Sequence, residues 1–134
     1  MALRNDTSGN ANEARALRLL QEAAALGHGR AQYELGRMHG QGRGTPKDYR
    51  RAVQWFQKAA RRRVAEAQHL LCLAYAAGRG VKQDRVLAHA WCQIAAEQGS
   101  KETGETLESL RPFMTPGKLQ TVNALAEGLR KEIQ

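Results

Sequence analysis

The sequence predicts an all-α protein made of stacked antiparallel helix hairpins. Two observations carry this: the chain matches itself at a shift of 36 residues, and apolar residues fall three and four apart within each copy. At that shift Ala16, Ala52 and Ala88 coincide, as do Leu19, Trp55 and Trp91. The pairs Ala23-Ala24, Ala59-Ala60 and Ala95-Ala96 align, Ala31 meets Ala67, and Leu35 meets Leu71. Gly42 and Gly44 meet Gly78 and Gly80. No gap is needed.

The elements follow in order. Residues 1–11 are polar and are expected to be a mobile N-terminal segment. Asn12, Asp48 and Asp84 share one phase and are good N-caps, so a helix is expected to begin at each. After Asp48 come Ala52, Trp55, Phe56, Ala59 and Ala60, one face of an α-helix. Its small alanines allow close approach of a neighbour, and its aromatics fill the gaps between levels. A shorter helical pattern, Ala31, Leu35 and Met38, returns as Ala67, Leu70, Leu71 and Ala74. The loops Gly42-Arg-Gly-Thr-Pro-Lys47 and Gly78-Arg-Gly-Val-Lys-Gln83 carry glycines suited to a helix exit. The repeat region therefore spans 12–111: a partial copy at 12–27, full copies at 31–63 and 67–99, and a worn copy at 100–111. Pro112 is expected to stop the worn helix near Arg111. Thr115-Pro116 then opens a last helix over 115–134, whose stripe of Leu119, Val122, Ala126, Leu129 and Ile133 suits a cap on the end of the stack. At the other end a flank using Leu17, Leu20 or Ala24 is expected to be open, with Leu3 folding back over it or a second chain meeting it as a homodimer.

Segments 31–62 and 67–98 resemble the Sel-one-like repeat, a branch of the tetratricopeptide superfamily. The resemblance rests on Ala-x3-Leu-Gly at 31–36, Gly-x-Gly-x3-Asp at 42–48 and Ala-x2-Trp-Phe-x2-Ala-Ala at 52–60. In the second copy it rests on Ala67, Leu71, Tyr75, Gly78, Gly80, Val81, Asp84, Ala88, Trp91 and Ala95-Ala96. Three positions depart from it: Cys72 replaces the Gly36 type, His39 stands where Tyr75 stands, and Arg63 occupies the Gly27/Gly99 position. The resemblance implies a right-handed α-solenoid of 36-residue hairpins whose members, often bacterial, act as non-catalytic scaffolds and adaptors for other proteins.

Composition is consistent with that expectation. The chain has 134 residues, 42% hydrophobic and 25% charged, enough for one folded domain. No stretch is long and apolar enough for a membrane span, so no membrane partner is expected. The first ten residues hold no signal core, and two cysteines suit a reducing compartment, so a cytoplasmic setting is expected. An exported form trimmed of its signal would read the same. The net charge of +8 is concentrated: residues 37–85 carry +9, while 1–36 are neutral and 86–134 carry −1. Such a band attracts acidic partners or phosphates, or serves as a solvated surface.

Candidate partner-binding residues follow from the resemblance, which implies that the first helix of each hairpin lines the inner curve. Those helices are expected at 29–40, 65–77 and 100–111. Tyr33, His69 and Glu105 stack across copies on them, and so do Arg37, Leu73 and Ser109 one turn further on. Tyr and Arg are residue types that dominate binding hot spots. The alternative function is polyanion or nucleic-acid binding through Arg50, Arg51, Arg61, Arg62 and Arg63, helped by Arg43, Lys47, Arg79, Lys82 and Arg85. Aromatics at 5% are thin for a base-stacking platform. A third reading joins the basic band of one chain to the acidic 97–108 stretch of another.

No enzyme chemistry is expected. The sequence has no nucleophile elbow, no zinc-protease motif and no phosphate-binding loop after a strand; Gly40-Gln-Gly-Arg-Gly44 reads as a helix exit. Glu102, Glu105 and Glu108 form an acidic face without a pocket. Two His-x2-Cys pairs, His69/Cys72 and His89/Cys92, could in principle supply four zinc ligands. Cys72 falls in a small-residue packing slot and Cys92 in the phase of Phe56, so buried thiols acting as small hydrophobes fit better, and no metal or cofactor is expected. A Cys72–Cys92 disulfide is the remaining option, because both positions can face one helix-pair seam.

Overall fold

The computed structural model describes residues 2–133, with side chains described from residue 11 onward. Among these, the chain forms seven α-helices and no strand: α1 Ala2–Ala25, α2 Gly29–Gln41, α3 Tyr49–Arg61, α4 Ala65–Ala77, α5 Arg85–Glu97, α6 Thr103–Leu110 and α7 Pro116–Glu132. A 3-10 turn at Arg111–Phe113 follows α6, where Pro112 ends the α-helical ladder. Consecutive helices pack on one another from α1 to α5, and α5 is then covered by both α6 and α7.

The same hydrogen bonds recur 36 positions apart. The Asp48 carboxylate accepts from the Arg51 amide at 3.2 Å, and Asp84 accepts from the Leu87 amide at 3.0 Å. The amides of these two aspartates donate to the carbonyls of His39 and Tyr75, at 2.8 and 2.9 Å, which ties each loop to the helix before it. Gln32 and Gln68 are buried, and their side-chain amides donate to the carbonyls of Ala24 and Ala60 at 3.2 and 3.0 Å. Each glutamine thus meets a carbonyl that the preceding helix leaves near its C-terminal end. Nothing in the apolar periodicity marks these two residues.

Close backbone approach explains the loop glycines. At Gly80 (φ +78°) a Cβ would lie 2.5 Å from the Tyr49 carbonyl oxygen; at Gly44 (φ +75°) it would lie 2.9 Å from that of Glu13. The loop at Gly80 therefore rests on the first turn of α3, and the loop at Gly44 rests on the middle of α1.

The N-terminal expectation needs correcting. Asn12 does not cap a helix, because α1 already runs from Ala2 and Asn12 lies inside it. Residues 2–11, expected to be a mobile tail, are part of that helix. Leu17 and Leu20 are partly buried and Ala24 is buried, packed with Ala31, Leu35 and Trp55. Their spacing of three and four is the stripe facing α2, so that flank is not open. Among the described residues at this end, the large apolar side chains left in solvent are Leu19 and Leu26, 61% and 79% exposed. The Leu3 side chain lies outside the described residues.

At the other end, Thr115 accepts from the Lys118 amide at 3.2 Å and opens α7. Val122 and Ala126 are fully buried, with Leu129 and Ile133 packed partly beside them. Leu119 departs from the expected stripe and is exposed. Arg130 grips Glu97 with two bonds of 2.8 and 2.6 Å, fastening α7 to the end of α5.

Candidate functional site

A groove of about 420 Å³ opens between α2 and α4 over α3. Its floor is the apolar face of α3: Ala52, Val53 and Phe56, each less than a tenth exposed. The α4 wall carries Leu70, Leu73, Ala74 and Ala77 at helical spacing. Leu73 keeps 39% of its surface in solvent, so an uncommitted apolar side chain stands at the groove. The α2 wall supplies Arg37, Gly40 and Gln41, and Tyr49 and Arg79 complete the lining.

The lining holds two arginines and no carboxylate. Arg37 meets Glu34 at 3.3 Å, a half-exposed pair worth little, and its guanidinium lies 5.7 Å from the Tyr33 ring centre. Arg79 and Lys47 both sit 5.0 Å from the Tyr49 ring centre. A hydrogen bond with Lys47 is the main cause that pulls the Tyr49 hydroxyl below its ordinary pKa. Arg79 makes no ion pair among the described residues. The site can therefore take an apolar group and a negative charge together; it offers no nucleophile with an adjacent base.

Of the six expected partner-binding residues, the structure brings Arg37 and Leu73 into this groove. Tyr33 is only partly buried but belongs to the packing: its ring lies 6.2 Å from that of Phe56, and desolvation is the largest cause raising its hydroxyl pKa. His69 is buried, with Nδ1 3.8 Å from Glu102. Glu105 and Ser109 are exposed on α6, where the Ser109 hydroxyl donates to the Glu105 carbonyl at 2.9 Å. The six do not form one surface. The residues missed were Val53, Tyr49 and Leu70, and Arg79 was expected only as part of the basic band. Tyr49 opens α3 and Arg79 opens the loop after α4, and only the packing of that loop on the start of α3 brings them together.

The alternative basic set divides too. Arg50 and Arg51 begin α3, whereas Arg61, Arg62 and Arg63 lie at its far end, about 15 Å along the axis at 1.5 Å per residue. Arg51 pairs with Asp48 at 3.6 Å, Arg61 with Glu132 at 3.1 Å and Arg43 with Glu13 at 3.6 Å, while Arg85 stacks on Phe113 at 3.8 Å. The five arginines therefore fall into two groups at opposite ends of α3, and several of the basic side chains already have partners.

Cys72 and Cys92 are both fully buried, and they are bonded to each other rather than being two separate thiols. Their Cα atoms are 5.3 Å apart, across the seam between α4 and α5. This uses up both sulfurs of the His-x2-Cys pairs. Among the described residues no three potential metal ligands converge. No helix among them is long and apolar enough to cross a membrane.

The family model described as Sel1 repeat matches residues 5–28, 29–63 and 65–100. Solved structures agree. The chain is similar to c5321, a protective antigen present in uropathogenic Escherichia coli strains and displaying the SLR fold, with a TM-score of 0.83 and 31% identity over 90% of this chain. It spans 26% of that protein's length. A Sel1 repeat protein from Oxalobacter formigenes matches with a TM-score of 0.66 and 40% identity, covering 69% of each chain. Helicobacter pylori cysteine rich protein B matches with a TM-score of 0.65 and 26% identity over 68% of each chain. Among curated proteins none matches by sequence. With the family match spanning most of the residues and the stacked helices reproduced in solved relatives, the chain belongs to the Sel1 repeat family.

Proposed function

We propose that this chain is a non-catalytic adaptor that holds a partner protein in the groove between α2 and α4. Sel1 repeat proteins generally mediate protein–protein contacts as non-enzymatic scaffolds, and that property frames the reading. The observation that carries it is the exposed Leu73 beside a buried apolar floor, an anchor pocket of the kind that concentrates binding energy. A volume near 420 Å³ lies in the range of small binding sites and admits a short segment rather than a domain.

The test is Leu73→Asp in the full chain. Leu73 is partly in solvent, so the substitution leaves the fold intact while placing a charge in the groove. Partners recovered with the wild-type chain are purified and titrated against both forms. The variant is expected to bind at least about tenfold more weakly, the loss of one anchoring side chain, while Arg62→Ala outside the groove binds normally. Equal affinity of wild type and Leu73→Asp for every purified partner would remove the groove from the mechanism.

A further inference from the structure

We infer that the groove selects a segment in which a large apolar side chain lies within about two residues of a carboxylate. The inference rests on the adaptor reading above and specifies its ligand. Its basis is charge complementarity confined to one place. Arg37 enters the lining from α2 and Arg79 from the loop after α4, so cations stand on both sides of an apolar floor, and no Asp or Glu lines the groove. Lys47 adds a third cation beside the groove, at the same 5.0 Å from the Tyr49 ring.

The two arginines are held differently. Arg37 has only the half-exposed Glu34 as an ionic partner, a contact that a bound carboxylate can replace at small cost. Arg79 has a ring beneath it and no anion, so its five donors remain available for a carboxylate in the forked geometry that guanidinium favours. The aromatic contacts orient both groups before a ligand arrives, which lowers the ordering cost of binding. The apolar floor and Leu73 supply the other half of the recognition, and a purely acidic segment leaves them uncovered. A polyanion such as RNA likewise offers phosphates but no aliphatic or aromatic side chain to fill the floor.

The experiment is selection of a random twelve-residue peptide library on the full chain, followed by titration of the enriched peptides. Enriched sequences are expected to be net negative, with Asp or Glu within two positions of Leu, Ile, Met, Phe or Trp. Arg37→Glu together with Arg79→Glu should weaken those peptides by about tenfold or more and, in a fresh selection, should enrich Lys or Arg beside the same apolar residues. Both arginines are solvent-facing, and unchanged helical circular dichroism and thermal midpoint establish that the variant is folded.

Neutral or basic consensus sequences, no enrichment at all, or the same consensus from the charge-reversed variant would overturn the inference. So would displacement of the peptide by poly(U) at equal charge concentration, which would indicate a phosphate site. If purified natural partners still depend on Leu73 while no acidic consensus emerges, this inference falls and the adaptor groove stands. If acidic peptides bind but ignore both Leu73→Asp and the arginine reversal, the groove itself falls.

Discussion

The two complete copies fill the same seam in different ways. In the first, Gly36 on α2 faces Phe56 on α3, and a Cβ on the glycine would lie 2.6 Å from the Phe56 ring. In the second, 36 positions on, Cys72 and Cys92 stand in those places and are joined. One seam is closed by a ring sitting over a residue with no side chain. The other is closed by two mid-sized side chains and a covalent bond. The alanines around both, Ala52, Ala59, Ala60, Ala88 and Ala95, are equally buried. A slot in a stacked hairpin thus constrains the sum of the facing volumes more tightly than either residue alone.

The largest expected effects lie in this pair. Phe56→Ala should cost about 3–5 kcal/mol, since the glycine opposite cannot fill the space. The double variant Cys72→Ala/Cys92→Ala should cost about 3 kcal/mol through loss of a crosslink enclosing some twenty residues. Urea denaturation with and without reductant reads both: reductant should shift the wild type and Phe56→Ala but leave the cysteine variant unmoved. A wild type indifferent to reductant, with two titratable thiols, would show that the second seam works by packing alone, like the first.

A smaller effect sharpens the contrast at the exits of the second helices. Gly27 and Gly99 leave their helices at φ +91° and +102°, whereas Arg63 takes +68° in the corresponding place. A side chain there is strained, so Arg63→Gly should stabilise the chain by about 1 kcal/mol, a rise in the urea midpoint. A fall would mean that the Arg63 side chain holds the α3–α4 junction in some further way.

The smallest effect is set by pH. His39 and His89 are held below the ordinary histidine value of 6.5 chiefly by burial, so folding favours the neutral form of both. The unfolded chain takes up protons first as pH falls below 6.5, so stability drops across that window and is retained above it. In the second copy Tyr75 stands where His39 stands in the first, 36 positions on. His39→Tyr should therefore flatten part of the slope between pH 7.5 and 5.5, measured by thermal midpoints; an unchanged slope would assign it to His89.

The repeat made much of the architecture legible. Aspartate caps, glycine exits and the alternation of Ala with Trp or Phe each state a local rule that the fold obeys. The start of α1 was not legible, because Asn12 has the chemistry of a cap whether or not the residues before it continue the helix. For the site, equivalence between copies was visible but contact was not. Cys72 was matched to Gly36 and Cys92 to Phe56, yet nothing in one dimension states that Gly36 touches Phe56. The same gap hid the contact of Arg79 with Tyr49, and it made Tyr33 look like a free binding residue when its ring is part of the packing.

The crosslink also has a mechanical side. Cys72 immediately precedes Leu73, so the jaw that bears the anchor is welded to α5 behind it, while the opposing jaw on α2 is held by packing, hydrogen bonds and an Arg30–Glu66 ion pair, with no covalent tie. A bulkier guest would be accommodated by the α2 jaw yielding, with the anchor itself staying in place.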